Sequence, residues 1–377
     1  MKRVFAIGGS IVSPLGLTAR ENFLAVAEGR SGVASCDGVF GIPEPFVASL
    51  FDRPTVFAEA AARGMGGYTL FETILMLSIK DAADRAGIDP ASPRVRLVIS
   101  SIKGNVELLD GDETSVPVSV SATRICDFFG NPNPPLVVSN ACISGLTALI
   151  HARRMLLLSD ETDYVVVAGA EVQSRFIVSG FQSLKALSPE PCRPFDAQRR
   201  GLNLGEAAAT MVLSRAGTVP DGCWELVEGA TRNDANHISG PSRTGEGSYK
   251  ALRHVLAACD PEELAFVNVH GTATPYNDEM EAVALDRAGL SAVQVNALKG
   301  VFGHTMGAAG ILESLVSMQS ADAGLVPGTR GFESLGVSRP VNVRAENRPT
   351  DKRAFIKLLS GFGGCNAAML FRKGGAR

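Results

Sequence analysis

The sequence predicts an α/β protein built from two similar halves, and three observations carry that prediction. Short β-branched runs alternate with amphipathic segments along the chain. No low-complexity tether interrupts them. The passages Val138–Thr147 and Val295–Gly310 both run from a strand through a small-residue turn into a helix. Alternating strands and helices imply a parallel sheet covered on both faces, and the repeated passage implies a duplicated unit.

Taken in order, Arg3–Val12 is apolar enough for a buried strand, and Thr18–Gly29 has a cap and helical spacing. Residues 30 to 66, rich in Gly, Pro and Ala, read as irregular. Thr69–Ala86 places Leu70, Ile74, Leu77 and Ile79 among charged positions, a helix ended by Gly87, and Leu97–Ser101 is a short buried strand. Leu136–Ser139 leads into a helix through Leu149, Met155 and Leu158, and Asp163–Gly169 is another β-branched run. Leu204–Ser214 and Trp224–Thr231 add strands, and Ser214–Gly222 between them reads as a turn. A second series follows: helix Ser248–Ala258, strand Ala265–Val269, helix Asn277–Ala288, strand Ala292–Asn296 and helix Ala308–Ala321. The strands Arg353–Ser360 and Ala367–Arg372 close it.

Composition narrows the function. With 377 residues, 45% hydrophobic and 20% charged, the chain suits a well-packed soluble protein. A net charge of −3, with both signs spread along the chain, argues against nucleic-acid binding and against a polybasic membrane anchor, so an acidic partner has to meet a local basic patch. Seven cysteines without a CxxC pair argue against a disulfide framework and against a structural zinc site. A reducing compartment fits, and the expected location is the cytoplasm. The apolar start is broken at Gly8, Gly9 and Ser10, and no run approaches the roughly 18 apolar residues of a membrane helix.

The segment Val138-Ser139-Asn140-Ala141-Cys142-Ile143-Ser144-Gly145 reads as a cysteine carried by a strand to the first turn of a helix. The free N–H groups and positive end of a helix stabilise a thiolate, which activates the sulfur. The same segment also suits a packed core cysteine. Two of the five histidines stand in glycine-punctuated settings, Val269-His270-Gly271-Thr272-Ala273-Thr274-Pro275 and Lys299-Gly300-Val301-Phe302-Gly303-His304-Thr305-Met306-Gly307. His151, His237 and His254 sit in ordinary contexts and receive no role. The turn Gly361–Gly364 lacks the spacing and the lysine of a nucleotide-phosphate loop.

Together with Arg193-Pro194-Phe195-Asp196 and Gly361-Phe362-Gly363-Gly364-Cys365-Asn366, these segments resemble the motif set of the β-ketoacyl-acyl-carrier-protein synthases over Arg3 to Phe371. That family's resemblance implies a thiolase-like fold, two α/β halves in a five-layer αβαβα arrangement. Residues 1–215 would form the half carrying the nucleophile, and 216–377 the half carrying both catalytic histidines. It implies that Cys142 takes an acyl group from a carrier thioester, that malonyl-carrier loses carbon dioxide, and that the resulting carbanion attacks the acyl-Cys142.

By the same resemblance, His270 and His304 donate from Nε2 to the malonyl thioester oxygen, and the N–H groups of Cys142 and Phe362 form an oxyanion hole. Lys299 and Glu313 form a buried pair behind His304. Thr272, Thr274 and Phe362 face the pantetheine arm, Glu281 and Asn366 support the site, and Arg199 lies near carrier docking. No cofactor or metal is implied beyond the carrier's phosphopantetheine thioester as substrate. The partners implied are an acyl carrier protein and a second ketosynthase-like subunit, identical or related, in a dimer.

Plainer readings stand beside these: Lys299 and Glu313 as surface charges, the threonines as turn caps, and Asn366, Asp196 and Glu206 as loop organisers. Asn140, Ile143, Asn203 and Cys365 depart from the family pattern. Two other functions remain in view. One is a non-condensing chain-length-factor-like subunit, and the other is a thiolase using coenzyme A thioesters with Cys365 as its second cysteine.

Overall fold

The computed structural model describes residues 2–216 and 221–374. Eleven strands hydrogen-bond in one continuous series. From one edge they run Leu136–Val138, Val95–Ser100, Tyr164–Glu171, Ala207–Ala216 and Arg3–Val12. They continue through Trp224–Asn233, Cys365–Lys373, Ala354–Gly361, Leu264–Asn268 and Gln294–Asn296 to Asn342–Val343. The two sides meet where Phe5 and Ala6 pair with Glu225 and Trp224. With the two-residue edge strand Asn342–Val343 left aside, the five strands of each side, numbered by appearance, are laid down from the edge in the same order, third, second, fourth, fifth, first.

The sheet is mixed, which corrects the all-parallel expectation. Tyr164–Glu171, Ala207–Ala216 and Arg3–Val12 pair antiparallel, as do Ala354–Gly361, Cys365–Lys373 and Trp224–Asn233. The three-residue turn 362–364 can only return the chain antiparallel to itself. Parallel pairing is confined to the strands joined by helical crossovers.

Alternate residues of each strand feed different cores, which explains the near-continuous apolar runs. Val165, Val167, Ala209, Met211, Phe355 and Phe371 face a central core. Val166, Ala168, Ala208 and Val212 face the helix Leu70–Ala86, and Ile356, Leu358, Ala368 and Leu370 face Glu246–Leu256. The central core is filled by two helices, Ser144–Leu158 and Ala309–Asp322, sandwiched between the two sides of the sheet. These are the helices of the repeated sequence passage, and each follows the third strand of its side. Helix, sheet, helices, sheet and helix make the five layers.

The central helices cross on glycine. A Cβ on Gly145 would stand 2.8 Å from the Gly307 carbonyl oxygen, and one on Gly310 would collide with the Leu146 backbone nitrogen. The apolar stretch Ala141–Leu158 is long enough to cross a membrane by composition, yet 61% of it is buried, as a central-layer helix requires.

Local signals set the element bounds. Thr18 with Glu21, and Thr69 with Glu72, close capping boxes, and Gly87 ends its helix in the left-handed region. Residues 30 to 66 are more ordered than expected, with strands Ala34–Cys36 and Phe46–Ser49 and the helix Arg53–Ala62. The helices Val118–Phe128 and Arg175–Ser183 also went unforeseen. Of the turn expected at Ser214–Gly222, residues 217–220 lie outside the described residues.

Candidate functional site

Cys142 sits on a strained elbow rather than inside a helix. The strand Leu136–Val138 ends, Ala141 takes a positive φ of 44°, and the helix begins only at Ser144. A non-glycine residue there costs on the order of 1 kcal/mol or more, held by the surrounding contacts. Those contacts are visible: the Asn140 N–H donates to Ser144 Oγ at 2.8 Å, and that hydroxyl donates to Ala141 O at 2.6 Å.

The expected depressed thiol is not found. Burial pushes the Cys142 thiol up to about 12, and Cys365 adds to the rise; Lys299 and the Phe362 backbone N–H pull the other way. Removal from water outweighs the helix terminus because the sulfur is almost fully enclosed. Alkylation of Cys142 by iodoacetamide should therefore climb about tenfold per pH unit from 7 and keep climbing past pH 9. Peptide mass spectrometry checks this, and a plateau below pH 9 would contradict it.

His270 is delivered by the end of the strand Leu264–Asn268. The Glu281 carboxylate accepts from the backbone N–H groups of His270 at 2.7 Å and Gly271 at 2.8 Å, and from Asn277 Nδ2 at 2.8 Å. One buried acid thus fixes the whole turn. Burial and neighbouring Asp278 push it up to about 7 against those bonds.

His304 follows the short helix Lys299–Phe302, and its N–H donates to Asn203 O at 2.7 Å. The Met306 N–H donates to its Nδ1 at 3.3 Å, which leaves the ring proton on Nε2. That Nε2 is buried with no partner among the described residues, as is His270 Nδ1.

The rings stand 5.0 Å apart at 79°, and the sulfur and one nitrogen of each ring lie within 4.8 Å of one another. Burial, Lys299 and Lys357 hold both imidazoles well below the ordinary histidine range, and His304 adds to the effect on His270. Both are therefore neutral. Cysteine and two histidines could in principle hold a transition metal, but the Met306 N–H commits His304 to an Nε2–H that has no lone pair to offer. The arrangement is a thiol facing neutral hydrogen-bond donors.

Lys299 and Glu313 are fully buried and paired, with Nζ 2.9 Å from Oε1, so the surface-charge reading fails. A second lysine missed by sequence reasoning shares the acid: Lys357 Nζ lies 2.5 Å from Glu313 Oε2 and 3.1 Å from Val269 O. Its signal was a lone charge in the apolar run Ala354–Gly361.

A cavity of 490 Å³ opens over the sulfur, lined by Cys142, His270, His304, Thr272, Thr274 and Phe362 among others. The two threonine hydroxyls are 2.8 Å apart. Phe362 is 39% exposed and stacks on Phe181. The Cys142 amide lies against Gly361, where an added Cβ would come within 3.1 Å of it. Cys365 donates its thiol proton to Phe362 O at 3.3 Å.

Arg199 does not itself line this cavity, though its Nη2 donates at 3.3 Å to the carbonyl of Pro275, which does. Its guanidinium turns inward to Asp196 O and Gly336 O, while Arg200, with Lys185 and His237, lines the opening. Asn366 holds the glycine-rich turn, accepting from Ser248 and Ser360 and donating to Gly364 O. Asp196 and Glu206 accept backbone N–H groups from neighbouring loops.

Comparison with known proteins agrees with this geometry. A 3-oxoacyl-[acyl-carrier-protein] synthase 2 of Vibrio cholerae is 28% identical over 417 residues, covering 99% of both chains. A β-ketoacyl synthase crystal structure from Burkholderia phymatum is 25% identical with a TM-score of 0.86 over the full length of both chains. A chain of the Xenorhabdus doucetiae ketosynthase and chain-length-factor complex shares the fold at 19% identity, with a TM-score of 0.87 over 99% of this chain and 98% of that one. Residues 1–218 match the β-ketoacyl synthase N-terminal domain and 224–333 its C-terminal domain, and with an enclosed cysteine facing two neutral imidazoles the chain belongs to the β-ketoacyl synthase family.

Proposed function

We propose that the chain is a decarboxylative condensing enzyme that joins an acyl group held on Cys142 to malonyl-carrier protein, in fatty acid or polyketide synthesis. The observation that carries this reading is the meeting of a thiol and two neutral imidazole rings, within 4.8 Å, at the floor of one cavity. In the first step the Cys142 sulfur attacks the acyl thioester carbon, and the carrier's pantetheine sulfur leaves with the proton the thiol gave up. Thiol is exchanged for thiol, so a high resting pKa costs no net charge. His270, whose Nδ1 has no partner among the described residues, is free to relay that proton. The N–H groups of Cys142 and Phe362 receive the developing oxyanion.

Decarboxylation of the malonyl unit then leaves an enolate whose oxygen takes hydrogen bonds from His304 Nε2–H and His270. Neutral donors suit this step, since they stabilise the oxyanion without protonating it. Attack of the enolate carbon on the acyl-Cys142 carbonyl forms the carbon–carbon bond and breaks the carbon–sulfur bond, and the departing Cys142 thiolate takes up a proton from solvent through His270. Thr272 and Thr274 line the arm's path, Glu281 holds His270, and the Lys299–Glu313 pair backs His304.

The partner is an acyl carrier protein, whose phosphopantetheine thioester is substrate and not resident cofactor; Lys185 and Arg200 offer it cations at the mouth. The open edge strand Leu136–Val138, with exposed Leu136, supports a dimer in which the sheet continues into an identical or related subunit. The shared strand order supports two halves, 1–215 and 216–377, and a cytoplasmic enzyme fits the free cysteines.

Incubation with acyl-carriers of graded chain length tests the reading by intact mass, the expected result being one acyl adduct on Cys142. Added malonyl-carrier should then release carbon dioxide, whereas acetyl-coenzyme A should not serve as second substrate. His304→Ala should lower carbon dioxide release about 10²–10³-fold while leaving acyl loading within about tenfold. Carbon dioxide release kept within about tenfold of wild type would remove His304 from the second step, and equal loss of both steps would deny it a role special to that step.

A further inference from the structure

We propose that Lys357 is a positioning residue of the condensation reaction, tying the strand end that presents His270 to Glu313 and placing a surplus positive charge beside both imidazoles. The inference rests on the condensing reading and adds to it a group outside the recognised motifs. Lys357 pairs in register with Asn268 on the neighbouring strand, so its side chain lies beneath the residues that lead into His270. Its three ammonium protons find Glu313 Oε2 at 2.5 Å, Val269 O at 3.1 Å and Asn268 O at 3.5 Å. Lys299 occupies the other oxygen of the same carboxylate. Lys357 therefore holds the His270 strand and, through Glu313, the His304 segment in one frame.

The charge count gives the second part. All three side chains are buried and two ammonium groups share one carboxylate; burial lowers Lys357 to about 8, so below that pH one positive charge is left without a counter-ion in the cluster. The other groups facing the imidazoles do not cancel it. Cys142 and Cys365 are held as neutral thiols, Asp278, pushed up to about 6, faces Arg199 at 3.8 Å, and Glu171 and Glu281 are pushed up by burial to about 7, so the surplus stands on the acid side of that pH, where the limb is read. At the mouth, Lys185 and Arg200 add only positive charge. A site with this imbalance opposes an imidazolium and favours an anion, the state reached when the malonyl carboxylate departs and its electrons pass to the thioester oxygen.

The test compares wild type, Lys357→Met and the double variant Lys357→Met/Glu313→Gln. Lys357→Met keeps the side-chain volume and leaves a neutral Lys299–Glu313 pair, whereas the double variant restores the surplus charge on Lys299 alone. Acyl loading of Cys142 and carbon dioxide release from malonyl-carrier are followed from pH 5 to 8. Wild type is expected to keep its decarboxylation rate well below pH 6.5. Lys357→Met should lose about 10- to 100-fold in decarboxylation with loading within about threefold. Its acid limb should also move up by about one pH unit, since an imidazolium is no longer opposed.

The double variant should bring the acid limb back down. An unshifted limb in Lys357→Met, or a limb the double variant fails to restore, would overturn the proposal and leave Lys357 a packing residue. If Lys357→Met does not fold, Lys357→Gln is read in the same way. Failure of the condensing reading looks different, because wild type itself would then release no carbon dioxide from malonyl-carrier.

Discussion

Cys142→Ala is expected to abolish product formation, a loss of at least about 10⁴-fold, with no acyl adduct at any position. The sulfur has no substitute. Cys365, the other thiol beside the elbow, points its proton at the Phe362 carbonyl and is also pushed up to about 11 by burial, so it neither faces the cavity as a donor nor ionises in its place. The folded state should survive, because the variant removes one atom from a cavity wall and leaves the Asn140–Ser144 contacts of the elbow intact. The imidazoles remain as well. The variant should still release some carbon dioxide from malonyl-carrier, now uncoupled from bond formation. Adduct mapping and a carbon dioxide assay on one sample check both halves of this expectation, and an adduct on Cys365 would refute it.

Gly310→Val is expected to be the most damaging single change away from the chemistry, destabilising the fold by about 3–5 kcal/mol. Any side chain at Gly310 strikes backbone of the other central helix, at Gly145 and Leu146, and backbone cannot swing aside as a flexible side chain can. The helices would have to separate, opening the central core that Leu149, Ile311 and Leu312 fill. Because Cys142 and His304 stand just before these helices, activity should fall with stability. Gly66→Ala serves as the control, since its added carbon meets nothing within 4 Å and the site is exposed, and its effect should stay within about 0.5 kcal/mol. Urea unfolding with intrinsic fluorescence measures both. Equal midpoints would mean that the close helix crossing carries no energy.

Long periodic elements were legible in the chain because burial on one or both faces writes itself into hydrophobic spacing. Arg3–Val12 and the helix after Thr69 fall where the pattern put them, the second because Thr69, Glu72 and Gly87 mark both ends chemically. Short or shielded elements were not. Arg53–Ala62 is alanine-rich and buries only Val56 and Ala60, so it shows no strong apolar stripe. The mixed direction of the sheet was hidden because strand direction depends on the connections, which residue spacing along one strand does not record.

Within the site, Cys142, His270 and His304 were readable from their glycine settings, and the motif resemblance placed them together before any contact was known. Lys357 was not, since a lysine in a strand gives no hint of what lies beneath it. The neighbouring Arg200 was passed over for a related reason: only packing decides that Arg199 turns toward Gly336 and the rim residue Pro275 while Arg200 lines the mouth. The thiol's raised pKa was missed because sequence shows the helix start but not the depth of the pocket.

The identical strand order on either side of the Phe5–Glu225 junction bears on the origin of the reaction centre. Equivalent elbows, one after each third strand, ended with different residues, cysteine on one and histidine on the other. Two copies of an ancestral unit would have offered two like crevices related by a twofold axis. Divergence of one copy gave a single asymmetric pocket in which nucleophile and electrophile-activating group never compete for the same place.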